Sequence, residues 1–361
     1  MESAQEKLRS EVTELYESRP YPPIGTWSLL ASGIRWEERQ TLNYKAAYAA
    51  AYGTTAGAAL TPRILVAGCG TFEPVVVALA NPQAEIVAVD LSGRSLRKLE
   101  WNIRLRALGS RIATWKGDVE ELPESFGAFD FVVASGLIHH FPDPAKGLHS
   151  LTKRAGARGV FRLMVYSKWG RSLLYGAKAL AAQLGVRTPA EFRRMIDTLP
   201  ADHPYRVYFY LYSDARTDSG LADGYLHPCD RPFTALGLKD LLANAGIEAS
   251  AFLHAPSGQP EAANGFALLP EAGGIWERLQ VLEALGELQE NFRLFARSTK
   301  AEPVKATSWE WNEALPEKGR LYSHLLGKEL TFDTSMPPSA FSEQARSELA
   351  KAFFLLPGGT P

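Results

Sequence analysis

Cysteine is scarce, with only Cys69 and Cys229 among 361 residues. Two thiols cannot build a disulfide scaffold or a four-cysteine zinc site. Neither charge is in excess: 39 Lys and Arg face 40 Asp and Glu, a formal net charge of −1. Proteins that bind a nucleic-acid backbone usually carry a basic surplus, so no nucleic-acid partner is expected. No apolar run approaches the roughly 18 residues that cross a bilayer, so no membrane span is expected. The opening MESAQEKLRSEV is mixed in charge and lacks the apolar run of a secretory signal. The expected compartment is therefore the cytoplasm, with both thiols reduced. What remains is ordinary for a packed chain: 46% apolar and 22% charged residues. That supports a sizeable core, in one large domain with additions or in two domains.

The hydrophobic period changes along the chain. Leu8, Val12, Leu15 and Tyr16 fall at helical spacing and predict a helix over 3–17, which RPYPPIG stops. A second helix is predicted from Trp36 to Tyr52, with Tyr44, Tyr48 and Tyr52 as a core stripe. From RILVAG onward, the β-rich runs AEIVAVD, RIATWKGD, FDFVVASGLI and GVFRLMVYS alternate with helical ones. Such alternation predicts an α/β fold with a doubly wound, mainly parallel sheet. Between residues 167 and 231 the alternation gives way to a helical, tyrosine-rich insertion, read as a lid. Its tyrosines 205, 208, 210 and 212 would favour an aromatic or apolar ligand if they point inward. Strands are expected again at EASAFLH, GFALL and FRLFAR. The helix IWERLQVLEALGELQE should set Leu279, Leu282, Leu285 and Leu288 on one side. The expected division is an amino-terminal helical arm (1–60), a core (61–270) and a carboxyl-terminal helix with extension (271–361).

The chemistry concentrates in LVAGCGTFEP. Gly68, Cys69 and Gly70 follow an apolar strand and precede a helix. Such a loop brings backbone N–H groups close to a ligand at the positive end of the helix. Asp90 ends the next strand, where a carboxylate can accept from both hydroxyls of a ribose. A dinucleotide fingerprint needs a third glycine, but that position is Glu73, which would repel a pyrophosphate and suits a cationic or zwitterionic ligand. Asp118, followed by the N–H of Val119, suits an adenine amine and a ring nitrogen.

This ordered set resembles the class I S-adenosylmethionine-dependent methyltransferases over about residues 60–270. The resemblance implies a Rossmann-like fold, S-adenosyl-L-methionine as cofactor and S-adenosyl-L-homocysteine as product. It adds Leu91 and Ser135 to the cofactor-binding set. The chain departs from the family pattern at Val66, where an acidic residue is common, and at Phe72, where glycine is common. Glu73 or the amino-terminal segment could take over the role of the missing acid. ILVAGCGT, SGLIHHFPDP, LMVYSKWGR, ADHPY and DGYLHPCDRPFT also look like a bacterial small-molecule subgroup whose substrates are largely unassigned; this supports the fold and reaction class, and a small-molecule substrate is the expectation. The rival readings are a protein or RNA methyltransferase and a nicotinamide-dependent oxidoreductase.

Methyl transfer needs orientation and water exclusion, and a base only if the nucleophile must lose a proton. His139 and His140 follow the fourth strand, at the sheet edge where ligands bind, and either suits a base. They could equally brace the loop and line the adenosine pocket. His227 and Asp230 could orient a nucleophile, with Arg231 binding a carboxylate, or the segment could simply be a turn. No close ligand spacing supports a metal, so none is assigned. Tyr16 and Tyr21 could cover the cofactor or bond substrate, or only dock the arm. Arg171 could bind an anion or pair with a surface acid. Cys229 has no visible partner for nucleophilic or redox chemistry.

Overall fold

A computed structural model describes residues 4–23, 39–253, 274–288, 290–299, 308–323 and 326–358. Seven strands form one sheet: β1 (Arg63–Ala67), β2 (Glu85–Asp90), β3 (Ile112–Lys116), β4 (Phe129–Ser135), β5 (Ala155–Tyr166), β6 (Ile247–Phe252) and β7 (Asn291–Ser298). Their order is β3-β2-β1-β4-β5-β7-β6. Strands β1 to β5 pair in parallel, whereas β7 runs antiparallel to both β5 and β6. The apolar runs of β1, β2, β4 and β5 are continuous because these strands are covered on both faces. Ile64, Val66, Phe131 and Val133 pack on one face, and Leu65, Ala67, Val132 and Ala134 on the other. The chain reverses its winding between β1 and β4, and ligands of such sheets bind at that crevice.

Three expectations change. The predicted helix Trp36–Tyr52 is interrupted: Arg39 and Gln40 are helical, a turn follows at Thr41 and Leu42, and the helix restarts at Tyr44–Tyr52, where the Asn43 side chain caps it by accepting from the Ala46 N–H; residues 36–38 lie outside the described residues. The core does not stop at 270: β7 lies inside the sheet and is needed to join β5 to β6. Leu279 and Leu282 are buried on the helix Ile275–Leu285, but Leu285 is 44% exposed, since the helix ends there at Gly286. GFALL lies outside the described residues.

Three additions surround the sheet. The amino-terminal helix Ala4–Ser18 lies along the helix Gly93–Leu105, and Glu17 accepts from the Gly93 N–H at 2.6 Å. The segment between β5 and β6 begins with the helices Ser172–Gln183, Pro189–Thr198, Pro204–Leu211 and Asp218–Tyr225. These share a core of their own, built on Leu174, Phe192, Ile196, Phe209, Leu221 and Tyr225. The carboxyl-terminal unit pairs Ser308–Trp311 with Leu355–Gly358 and adds a hairpin and the helix Glu343–Lys351. It docks through Leu356 onto Ala46 and Ala49. Among the described residues no helix is long and apolar enough to cross a membrane.

Candidate active site

A cavity of about 850 Å³ opens at the carboxyl ends of β1, β2, β4 and β5. One end is the glycine loop. Gly68 and Gly70 hold φ of +63° and +57°, in the left-handed region that favours glycine. A Cβ on Gly70 would lie 2.8 Å from the Tyr21 carbonyl oxygen, and one on Gly68 would lie 2.9 Å from Leu137 Cδ1. The loop is fixed to β2: Asp90 accepts from the Gly70 N–H and the Ser92 N–H, each at 2.8 Å. Burial, opposed by these bonds, pushes the Asp90 carboxyl up to about 6. Asp118 accepts from the Glu120 N–H at 2.9 Å, which caps a short turn, and pairs with Arg9 of the amino-terminal helix at 3.1 Å. Gly68, Cys69, Gly70, Asp90, Leu91, Asp118, Val119 and Ser135 all line this end. Phe72 also lines it, buried, with the Arg106 guanidinium 5.2 Å from its ring centroid.

Behind the loop lies a polar trio. Ser135 donates to Glu73 at 2.5 Å, and Arg162 donates to Ser135. All three line the cavity. Burial raises the Glu73 carboxyl and lowers the Arg162 guanidinium to about 10, while each charge opposes the other's shift. Arg162 escaped the sequence reading, although an arginine within GVFRLMVYS is itself a signal, since a strand buried on both faces rarely holds an unpaired charge.

The other end is assembled from distant segments. Tyr16 donates to Asp223 at 2.7 Å and Tyr21 donates to Asp214 at 3.0 Å, joining the arm to the inserted helices above the cavity. Tyr166, at the end of β5, also donates to Asp223, at 3.3 Å. Arg171 lies against Tyr166, its Cζ 3.4 Å from the ring centroid. Asn291 and Arg293 of β7 complete this wall. Asp223 was the other omission; its signal was an acid within the small, apolar turn of DSGLADGY.

The predicted catalytic residues divide. His140 lines the cavity, and its Nδ1 lies 2.7 Å from the Cys229 carbonyl oxygen. A carbonyl only accepts, so Nδ1 holds a proton and Nε2 of the neutral ring is free to accept one. Burial lowers its pKa, against the opposing pull of Asp223, Asp230 and the Cys229 carbonyl, which favours the neutral ring. His139 is fully buried behind Tyr166, stacked on that ring at 3.7 Å, and is not in the lining. Burial, then the neighbouring His140 and Arg171, hold it well below the usual histidine range. His227 stacks on His140 at 3.8 Å and accepts from the Cys229 N–H at 3.1 Å. It makes no pair with Asp230, which instead takes the Lys178 ammonium at 3.2 Å and the Tyr175 hydroxyl at 3.0 Å. Neither His227 nor Asp230 reaches the cavity. His139, His140 and Asp230 bring possible ligand atoms within 4.8 Å of one another, but the Lys178 ammonium already supplies the cation at Asp230. Arg231 is exposed and outside the lining. The tyrosines of the insertion also turn elsewhere: Tyr212 packs in the inserted helices' own core, Tyr205 and Tyr208 pack against it, and Tyr210 is 55% exposed.

Comparison with known proteins agrees with this geometry. Residues 64–156 match the family model described as a methyltransferase domain. The uncharacterized protein syc1184_c of Synechococcus sp. is 25% identical over 329 residues, covering 86% of this chain and 76% of its own. PKMT2 from Rickettsia typhi superposes with a TM-score of 0.60 at 15% identity, over 79% of this chain and 56% of that one. Its complex with AdoHcy gives 0.56 at 16% identity, over 73% and 53%. This chain thus spans little more than half of PKMT2, and that likeness speaks to the fold. The family match over residues 64–156, about a quarter of the chain, together with the sheet order and the glycine loop, marks a methyltransferase domain in the central sheet.

Proposed function

We propose that this chain transfers a methyl group to a small organic acceptor held between the cofactor loop and the inserted helices. The observation that carries the reading is the single cavity joining the Gly68–Gly70 loop to the Tyr166 wall, about 850 Å³ in all. Pockets of some 300–1,000 Å³ suit small ligands, and a protein side chain would need an open channel. When bound, S-adenosylmethionine supplies an electrophilic methyl group on a sulfonium. Asp90 would accept from the ribose hydroxyls with the lone pairs left by Gly70 and Ser92. Asp118 would accept from the adenine amine, with Val119 offering its N–H. Glu73 and Arg162 fit an ammonium and a carboxylate, taking over from the acid replaced by Val66.

On the acceptor side, Tyr16, Tyr21 and Arg171 would orient the substrate. His140 Nε2 would take a proton where the nucleophile carries one. His139 and His227 would act from behind, through their stacks on Tyr166 and His140, and Asp230 only through its charge near His140. The arm and the inserted helices would form the lid, exchanging their Tyr–Asp bonds with solvent to admit ligands.

A thermal-shift titration tests the reading. S-adenosylhomocysteine should raise the melting temperature in a saturable way while NADH leaves it unchanged, since only a ligand of the folded state stabilises it. Labelled methyl groups should then appear in the small-molecule fraction of a lysate. Stabilisation by NADH alone would favour the oxidoreductase reading, and label confined to protein or RNA would move the acceptor to a macromolecule.

A further inference from the structure

Among the described residues Arg171 is a buried charge with no carboxylate in ion-pair contact, although Glu290 and Asp223 lie near enough to act on it electrostatically. The side chain follows β5, lines the cavity and is 3% exposed. Its Nε donates to the Glu290 carbonyl oxygen at 3.3 Å and to Asn291 Oδ1 at 3.1 Å, both neutral acceptors. One face of the guanidinium is taken by Tyr166. Nη1 is buried without a hydrogen-bond partner, and among the described residues no ion pair includes Arg171.

The neighbouring acids are engaged elsewhere. Asp223 receives the Tyr16 and Tyr166 hydroxyls, and the Glu290 carboxylate receives the Tyr208 hydroxyl. An arginine cannot shed its proton to escape burial. A buried guanidinium with an unfilled donor is destabilising until an acceptor completes it, and an anion does so most strongly. Arg293 lines the same wall two residues beyond Asn291, and β-strand alternation puts those two side chains on one face.

We propose that the acceptor is a small carboxylic acid whose carboxylate docks on Arg171 at the Tyr166 end of the cavity. A planar carboxylate matches the guanidinium fork, and the Tyr166 ring holds that fork flat at the wall. The carboxylate is therefore the handle and not the methylated group: it is anchored on Arg171, leaving the rest of the molecule to reach toward His140 and the cofactor loop. This inference rests on the methyltransferase reading above, and its test separates the two.

The protein saturated with S-adenosylhomocysteine is titrated with matched acid and amide probes: benzoate and benzamide, hexanoate and hexanamide, glycine and glycinamide. At least one acid should bind about tenfold or more tightly than its amide, the scale of one charge-assisted hydrogen bond. Arg171→Gln should erase that preference while S-adenosylhomocysteine affinity stays within about threefold. Arg171→Lys should restore part of it. The proposal is overturned if no acid binds, if acids and amides bind alike in the unaltered protein, or if the preference survives in Arg171→Gln. The comparison within the unaltered protein decides the matter even if a variant fails to fold. Absence of S-adenosylhomocysteine binding would instead overturn the cofactor reading.

Discussion

The two ends of the cavity are built differently. At the cofactor end, Gly68, Gly70, Asp90 and Asp118 each sit within three residues of a strand terminus, and the backbone itself supplies most of the contacts. At the acceptor end, the key bonds join residues up to 207 positions apart, as in Tyr16 to Asp223. The first end is a set of short loops on a rigid sheet. The second exists only once the arm, the inserted helices and β7 have come together. Ligand affinity at the first should therefore depend on single side chains, and at the second on whether three segments stay docked.

That contrast can be broken by measurement. The largest effect belongs to Asp90→Ala, which removes the proposed ribose acceptor and strands the Gly70 and Ser92 N–H groups; calorimetry should show S-adenosylhomocysteine affinity falling about 100-fold. An equal loss from an acceptor-end variant would contradict the division.

Next comes pH. The Asp90 carboxyl is raised from 3.8 to about 6, so below pH 6 it takes up a proton that the unfolded chain would not yet hold. Its protonation favours the folded state as pH falls from 6 toward 3.8 but removes the anionic acceptor. S-adenosylhomocysteine affinity should thus drop by up to about tenfold per pH unit below 6 and level off above it, and Asp90→Asn should lack that limb.

Tyr16→Phe should act more weakly and on the other end. Losing one bond to a buried carboxylate should cost about 1–2 kcal/mol in a denaturant melt and speed amide exchange in Ala4–Ser18, with cofactor affinity within about threefold. The smallest effect is expected from Arg231→Ala, an exposed position whose loss should change cofactor affinity less than about twofold in the same calorimetry.

The same contrast explains what could be read in advance. The strands at 63–67, 85–90, 112–116 and 129–135 announce themselves by local composition, and the loop residues follow from their place at strand ends. The position of β7 did not, because an antiparallel strand after a long insertion carries no local mark of where it pairs. The pair of His227 with Asp230 looked plausible at three residues' spacing, yet Lys178 and Tyr175 from the helix Ser172–Gln183 claim the carboxylate. Of the insertion's tyrosines, Tyr212 is buried in the helical core against Tyr225, whereas Tyr210 stays exposed on the surface. Arg162 and Asp223 carry the same local signal: each is a charge between apolar or small neighbours in a buried stretch, where burial requires a partner.

The most direct test of the account is a crystal structure of the intact chain with S-adenosylhomocysteine. The ribose hydroxyls should lie within hydrogen-bond distance of Asp90, the adenine beside Asp118 and Val119, and the amino-acid end against Glu73 and Arg162. A ligand seated away from Asp90, or one whose amino-acid end points away from Glu73 and Arg162, would contradict it.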